Sequence, residues 1–354
     1  SRRGTYYSRS KEFFFKDRVR LHNPEYNLES DTLEYNTITK VATFLGPTFI
    51  RSEENTIYCR YGWYNTETNI SQFSKGAYID GDANRLKADS MMYFRNTGLG
   101  EAFGNITLTD TTEDITVTGE YGKYQRFAKT TLVTGNPMAI KKMDGDSFFL
   151  KADTLIDIAD TTGGKKRALY AFSSVRAYKS DIQAVADSLV YNFTDSTISF
   201  YKEPVLWTDS NQITGDTIIV YRNQSGIHRV EAYKNSFVIE RDFNGLYNQI
   251  KGKRLDAFFV EGRIYKVDID GNGQSVYYAR EDSMQYSGVN SVICGKMTIN
   301  IDTASRIRTI VFRNQPKATF YPLEKFPKEE SRLNGFEWRS ALRPQKTYFI
   351  PKRL

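Results

Sequence analysis

Histidine and cysteine are scarce in this chain of 354 residues, with only two of each. A histidine-based catalytic triad or a histidine-rich metal centre therefore has almost no material. The sequence also lacks a nucleophile elbow, a phosphate loop, a dinucleotide fingerprint and a zinc-protease motif. We predict a protein that is not an enzyme and that has no catalytic residue, metal site or cofactor. A glycosidase, which needs only two carboxylates, is the enzyme class that the sequence leaves open.

The two cysteines, Cys59 and Cys294, are too few for a disulfide scaffold and have no zinc-ligand spacing. We expect both to be free, buried thiols. Long apolar runs are missing as well: none approaches the roughly 18 residues of a membrane-spanning helix. The first residues have no apolar core of the kind found in a signal peptide.

Aromatic residues are abundant, with 24 tyrosines and 23 phenylalanines. Threonine, isoleucine and valine recur throughout, while no window keeps apolar residues at the helical period, so the sequence predicts strands and little helix. The formal charge of +7 suits an anionic partner. The basic residues are scattered among 42 acidic ones and no nucleic-acid-binding module is recognisable, so we predict no nucleic-acid partner.

An internal repeat of about thirty residues is the most informative feature. One copy begins with Asp, then Ser or Thr, an apolar residue, any residue and Tyr, as in Asp31 to Tyr35. The last residue of this motif, or of a degenerate form of it, recurs at positions 7, 35, 64, 93, 124, 157, 191 and 220. A polar turn and a step marked by Gly or Pro lead to a second alternating segment. The fixed place of the Asp predicts a hydrogen bond at the start of a strand that sets register.

A copy of this length holds two strands and two turns, and it cannot bury its apolar face alone. We therefore predict an all-β fold, an elongated open β-jellyroll of two stacked antiparallel sheets, with one strand of each copy in each sheet. Alternation assigns one face of each strand to the interior, including Leu21. The interior residues that we select as the candidate binding site are Leu33, Tyr35, Met91, Tyr93, Ile106, Leu108, Leu189, Tyr191, Leu206, Ile218 and Val220.

The repeats define one continuous domain over residues 1–322 and an irregular tail rich in Pro and basic residues over 323–354. Because Ser1 nearly coincides with a repeat strand, we expect the natural chain to continue upstream. Residues 268–273 match the start of a calcium loop, yet position 279 is Ala where the bidentate Glu is needed. A tight hairpin turn is the better interpretation of this segment.

Two segments resemble the OstA-like family. The run from Ala88 to Tyr93 followed by Gly100 to Leu108 is similar to that family's pattern of Asp, a small or apolar residue and Tyr, then Gly-Asn-Val and an alternating strand. Residues 271–279 are similar to a stretch in its longer members. The chain departs from the short family members in having roughly twice as many copies, and Asp157 stands where Tyr is usual.

The resemblance implies a periplasmic protein without catalysis, associated with outer-membrane biogenesis. Lipopolysaccharide would be the ligand, its acyl chains held in a hydrophobic groove between the sheets and its phosphates near a basic rim. The partners would be other lipopolysaccharide-transport proteins joined by edge-strand addition, with end-to-end self-association as a further expectation. The alternative is a structural or glycan-binding β-solenoid or adhesin of the cell envelope, with a filled core.

Overall fold

A computed structural model describes residues 1–143, 145–160, 166–242, 244–280, 285–302 and 307–350. The chain divides into two compact units where the sequence predicts one continuous domain over 1–322. Unit 1 comprises Ser1–Lys142 and Lys151–Lys165, and unit 2 comprises Met143–Leu150 and Lys166–Leu354.

The prediction of an all-β fold with antiparallel strands is confirmed: the described residues contain 25 strands, and the only helices among them are four short 3₁₀ turns. In chain order the strands are β1 Arg3–Tyr7, β2 Glu12–Asn23, β3 Tyr26–Asn36, β4 Val41–Arg51, β5 Asn55–Asn65, β6 Ile70–Gly81, β7 Asn84–Phe94, β8 Leu99–Asp110, β9 Ile115–Gln125, β10 Thr130–Thr134, β11 Met138–Met143, β12 Asp146–Lys151, β13 Thr154–Asp160, β14 Lys166–Lys179, β15 Ile182–Asn192, β16 Thr197–Tyr201, β17 Val205–Thr208, β18 Asn211–Thr214, β19 Thr217–Asn223, β20 Gly226–Arg241, β21 Tyr247–Val260, β22 Arg263–Arg280, β23 Tyr286–Ile301, β24 Ile307–Arg313 and β25 Lys317–Tyr321.

In unit 1 each of the strands β2 to β8 pairs with the next along the chain, and the ladder skips residues near the middle of every one of these pairs. The skip coincides with left-handed residues in every second strand, beginning at positions 17, 46, 75 and 104, an interval of 29 residues. A bulge of this kind bends a strand. The repeat is thus a pair of long strands, one of them bulged at a fixed place. Both strands of a copy lie side by side in one folded sheet instead of being divided between two sheets.

The Asp of the repeat lies in mid-strand at Asp31, Asp89 and Asp187 and directly before a strand at Asp153 and Asp216. Its predicted place at the start of a strand is therefore wrong for the first three copies and confirmed for the other two. The Asn105 side-chain amide donates to Asp89 at 2.8 Å, Lys202 pairs with Asp187 at 2.8 Å, and Asn235 donates to Asp216 at 3.3 Å. Asn105, Lys202 and Asn235 are all left-handed bulge residues. The predicted hydrogen bond is therefore present in these copies, where it holds the bulge. In the copy at Asp282, residues 282–284 lie outside the described residues.

Residues 268–273, predicted as a hairpin turn, instead lie in the middle of β22. Gly271 and Asn272 are the left-handed residues of its bulge. The two carboxylates that suggested a calcium loop are paired with the next strand, since Asp268 accepts from the Thr298 hydroxyl and Asp270 pairs with Lys296, both at 2.9 Å. The same Asp-Gly chemistry that favours a tight turn also favours a bulge, because both need positive φ.

Residues 323–350, here called the strap, follow β25 and cross one face of the unit 2 sheet without joining it as a strand. The strap contains four 3₁₀ turns at Leu323–Lys325, Lys328–Glu330, Ser340–Leu342 and Lys346–Tyr348. Its aromatic side chains dock on the sheet: Phe336 packs on Tyr247, and Phe349, only 1% exposed, packs on Phe149 and Tyr178. The sequence predicts an irregular tail here. The segment is irregular, and it packs as an additional layer on the sheet of unit 2.

A row of residues that are direct cross-strand partners receives the strap, in the order Gln183, Trp207, Gln212, Ile239, Gln249 and Val276. Gln249 donates to the Ser331 carbonyl and accepts from the Leu333 N–H, both at 2.8 Å. Gln212 holds the Glu337 carbonyl and the Arg339 N–H in the same way, both at 2.7 Å. Each glutamine thus satisfies two backbone groups that the irregular strap could not pair within itself.

Asp146 at the start of β12 makes the stability of unit 2 depend on acidity. The Ser180 hydroxyl donates to its carboxylate at 2.6 Å, and the backbone N–H groups of Ser147 and Ser180 donate at 2.7 and 3.0 Å. These bonds, the Ser180 hydroxyl first, lower the pKa of Asp146 to about 2. The folded state therefore favours the charged form, and this stabilisation is present above the unfolded pKa of about 3.9.

We expect Asp146→Asn to be less stable than the wild type above about pH 4, with the difference vanishing as the pH falls toward 2. Denaturant unfolding of both proteins over a pH series measures this. Ser180→Ala should move the point at which the difference disappears to higher pH. A difference that stays constant from pH 2 to 7 would contradict the role of the charge.

Candidate functional site

The interior of unit 1 is an apolar layer enclosed by the folded sheet. Residues on both sides of the bulge line pack into one cluster, for example Leu28 with Leu33 on β3 and Phe73 with Ala77 on β6. Every buried member is at most 6% exposed. They are Val19, Leu28, Leu33, Phe44, Cys59, Phe73, Ala77, Ala88, Met91, Ala102 and Ile106. The two halves of the sheet therefore face each other across a continuous layer of apolar side chains that follows the repeat.

The mouth of this interior lies between two rows of hairpin turns. The first rim is formed by the turns at positions 24–25, 52–54 and 82–83, and the second rim by those at 37–40, 66–69, 95–98 and 126–129. Just inside the mouth are half-buried aromatic side chains that pack against the cluster, Tyr26, Tyr35 and Tyr64 among them. The mouth is thus lined by rings that carry a polar hydroxyl.

Two ion pairs cross the mouth of unit 1. Arg95 on the second rim pairs with Glu25 on the first, and Arg126 pairs with Glu54 at 3.1 Å. The side chains are about half exposed or more, 47% and 63% in one pair and 51% and 69% in the other. Equivalent turns of successive copies supply the groups, since the glutamates are 29 residues apart and the arginines 31. These pairs close the mouth at two repeat-related points.

Tyrosines of the repeat stand beside both arginines. The hydrogen bond to Glu25 raises the pKa of Arg95, with a smaller effect of Tyr64. Tyr93 raises the pKa of Arg126 first, and Glu54 second. Both guanidiniums remain charged, and each has an acidic partner across the mouth with a phenol alongside.

The predicted interior residues of unit 2 are more completely buried than those of unit 1. Leu189, Leu206, Ile218 and Val220 are each at most 1% exposed, and Tyr191 is 4% exposed. A cavity of about 30 Å³ remains in this interior, the room of about one water molecule. Its walls include Phe148, Ala177, Phe200 and Val220 together with the charged residues Lys179, Asp181 and Arg222.

The predicted site residues fall into two groups, one in each unit. In unit 1, Leu33, Met91 and Ile106 are buried, whereas Tyr35, Tyr93 and Leu108 are half-buried. In unit 2, Leu189, Tyr191, Leu206, Ile218 and Val220 are all buried. Leu21, which alternation assigns to the interior, is 38% exposed. The ladder from β1 covers only residues 12–16 of β2, so the half of that strand carrying Leu21 has no β1 neighbour.

Alternation could have found the interior residues that the motif missed. Phe44, Cys59 and Phe73 lie on β4, β5 and β6, where the Asp-Ser-apolar-x-Tyr signature is degenerate or absent. Each is separated by one residue from another inward residue, Ala42, Ile57 and Ser71 respectively. The four charged residues that cross the mouth have no such signal. The turns that carry them share no motif, and their pairing depends on how the sheet folds.

The cysteines are free and buried, as predicted. Burial raises the pKa of the Cys59 thiol to about 11 and raises that of Cys294 as well.

Within the described part of the chain, no group of three or more His, Cys, Asp or Glu could hold a metal ion. None of the helices described is long and apolar enough to cross a membrane. No protein-family model matches the sequence, and a comparison with curated proteins gives no match either.

Proposed function

We propose that this chain is a non-enzymatic periplasmic protein that binds lipopolysaccharide and passes it toward the outer membrane. The acyl chains enter the apolar interior, and the sugar and phosphates stay at the mouth. The observation that carries the proposal is the interior of unit 1, an apolar layer that runs along the repeat and meets solvent at a mouth closed by exposed ion pairs.

Free energy favours such a route. Each methylene moved from water into an apolar environment gains about 0.8 kcal/mol, so a lipid with several acyl chains does not cross an aqueous space unshielded. A folded sheet with an apolar inner face replaces the membrane over the length of the repeat. Basic side chains, Arg95 and Arg126 at the mouth of unit 1 and Lys179 and Arg222 in the lining of the unit 2 cavity, suit the phosphates of the ligand.

Open strand edges supply the contacts that we propose for other transport proteins or for a second copy. All five residues of β1 are exposed, and its ladder with β2 occupies one side of the strand. Along β25 the residues Lys317 to Phe320 are exposed as well. Unpaired backbone groups at such edges accept a strand from a neighbouring molecule.

A photo-crosslinking amino acid at Met91 tests the lipid proposal, with Met92 as the matched control. Met91 is 3% exposed and points into the interior, whereas its neighbour Met92 is half-buried on the opposite face. With lipopolysaccharide present we expect adducts at Met91 at least several-fold above those at Met92, because acyl chains reach only the inner face. Equal labelling, or none at either residue, would rule out binding in the interior of unit 1.

The second candidate is a structural or glycan-binding β-protein of the cell envelope. The observation that favours it is the close packing of unit 2, where the cavity has room for about one water molecule. Lipid entry requires the two halves of a sheet to separate, whereas a structural protein needs no such movement. The same crosslinking pair in unit 2, inward Tyr191 against Val190, discriminates the two functions there, since a sealed interior gives no adduct at Tyr191.

A further inference from the structure

We propose that Glu25–Arg95 and Glu54–Arg126 form a latch across the mouth of unit 1, which the phosphate groups of an anionic lipid open by replacing the two glutamates on the arginines. The inference rests on the proposed function for the identity of the lipid. The latch itself is a property of the four side chains and can be measured without lipid.

The two pairs are placed to hold the mouth shut. Glu25 and Glu54 belong to the turns β2–β3 and β4–β5 on the first rim. Their partners belong to the turns β7–β8 and β9–β10 on the second rim, 70 and 72 residues along the chain. No backbone ladder can join the rims here, because these turns are the ends of the strands. Side-chain pairing across the gap therefore opposes separation of the rims.

The latch is weak enough to open. Exposed ion pairs contribute little to stability and are screened by salt. Opening two of them leaves the ladder and its bulges unchanged. The cluster residues described behind the mouth are apolar and form no hydrogen bond or ion pair across it. The contacts between the two rims therefore keep the mouth closed.

Phosphate is a suitable competitor for these arginines. A guanidinium binds phosphate through two parallel N–H···O bonds, and such charge-assisted bonds are stronger than neutral ones. The hydroxyl of Tyr93 lies beside Arg126 and can donate to the same anion, whereas the hydroxyl of Tyr64, beside Arg95, donates to Asn69 at 2.6 Å. A phosphate that displaces Glu25 or Glu54 keeps the arginine paired and frees the first rim. The half-buried Tyr26 and Tyr35 then line an open path into the apolar cluster.

The native cysteines report opening directly. Cys59 lies in the interior of unit 1 at 1% exposure, and its raised pKa keeps the thiol unreactive while the interior is closed. Cys294 is buried in unit 2 and serves as an internal control. Glu25→Gln/Glu54→Gln in the full chain should raise the rate of Cys59 modification by a water-soluble thiol reagent at least several-fold, with the rate at Cys294 unchanged.

Glu29→Gln is the matched control variant. Glu29 pairs with Arg51 at 3.0 Å on β3 and β4 of the same unit, where the two residues are one strand apart and the pair does not cross the mouth. This variant removes one carboxylate where the double variant removes two, and it should leave the Cys59 rate at the wild-type value. Equal rates in the wild type, Glu29→Gln and the double variant would overturn the latch.

Inorganic pyrophosphate tests the competitor. At equal ionic strength it should accelerate Cys59 modification in the wild type more than sodium chloride does, and Arg95→Gln/Arg126→Gln should lose that difference. Equal acceleration by the two salts would overturn the phosphate site and leave only a screened ion pair. These rates do not depend on lipopolysaccharide: a response at Cys59 without lipid adducts at Met91 would refute the proposed function alone, and adducts without a response would refute the latch alone.

Discussion

Gln212→Leu/Gln249→Leu is expected to release the strap from unit 2 and to lower the free energy of unfolding by about 2 to 4 kcal/mol. The two glutamines are 1% and 0% exposed and each holds one carbonyl and one N–H of the strap. Leucine has similar size and no polar atom, so four backbone groups of the strap lose their partners. A buried group left without a partner costs about 1 to 3 kcal/mol. Detachment limits this loss, because a released strap regains hydrogen bonds to water.

Two measurements check this prediction: denaturant unfolding, and limited proteolysis between residues 323 and 350. In the double variant, cleavage within the strap should precede cleavage of the strands. Gln274→Leu on β22 is the matched control in the same unit, since no contact with the strap is described for that half-buried side chain. If the double variant keeps both its stability and its protection from protease, the glutamine row does not hold the strap.

The strap shows which part of the fold the sequence could not predict. In a sheet with one solvated side, buried and exposed residues alternate along each strand. On β17, under the strap, Val205, Leu206 and Trp207 are consecutive and all at most 1% exposed, so the alternation is absent. A run of three buried residues indicates a strand covered on both faces. The run does not indicate what covers it. The covering segment lacks any period, and the glutamines that recognise it look like ordinary polar residues until the strap is in place.

The repeat, in contrast, could be predicted from the sequence, because the residues that form its bulges recur at a fixed interval. A bulge needs residues that tolerate positive φ. Gly46, Gly104 and Asn105 are such residues, and they lie within the repeat that the sequence shows. The prediction that each copy has one strand in each of two sheets is wrong because the predicted turn is a bulge. A bulge and a turn use the same residue types, and a step in alternation marks both. Only the ladder shows that the strand continues through the step.

The latch residues at the mouth of unit 1 required the folded sheet, although the interior behind them did not. Leu33, Met91 and Ile106 follow from alternation alone, and the structure buries them. Glu25 and Arg95 are 70 residues apart and belong to different copies. Nothing in either turn distinguishes them from the exposed charges of neighbouring turns. Pairing across the mouth therefore depends on how far the sheet folds over, to which the bulge of each copy contributes.

Gly104→Ala is expected to lower the free energy of unfolding by about 2 to 3 kcal/mol. Gly104 has φ of +72°, and a left-handed conformation costs a residue with a Cβ roughly 1 to 2 kcal/mol. The added Cβ would lie 2.5 Å from an Asp89 carboxylate oxygen. Asp89 must then move and give up its hydrogen bond from Asn105, which is worth about 1 kcal/mol. The bulge of β8 would then lose its hydrogen bond to Asp89 on the neighbouring strand β7.

Gly76→Ala separates the two contributions. Gly76 is a bulge residue of β6 with φ of +78°, and a Cβ built there meets nothing within 4 Å. Its loss of stability therefore measures the backbone conformation alone, and we expect Gly104→Ala to lose about 1 kcal/mol more in paired denaturant titrations. Equal losses would mean that Asp89 does not hold the bulge. The Asp of the repeat would then be a solvated side chain, and the 29-residue interval would depend on the left-handed residues alone.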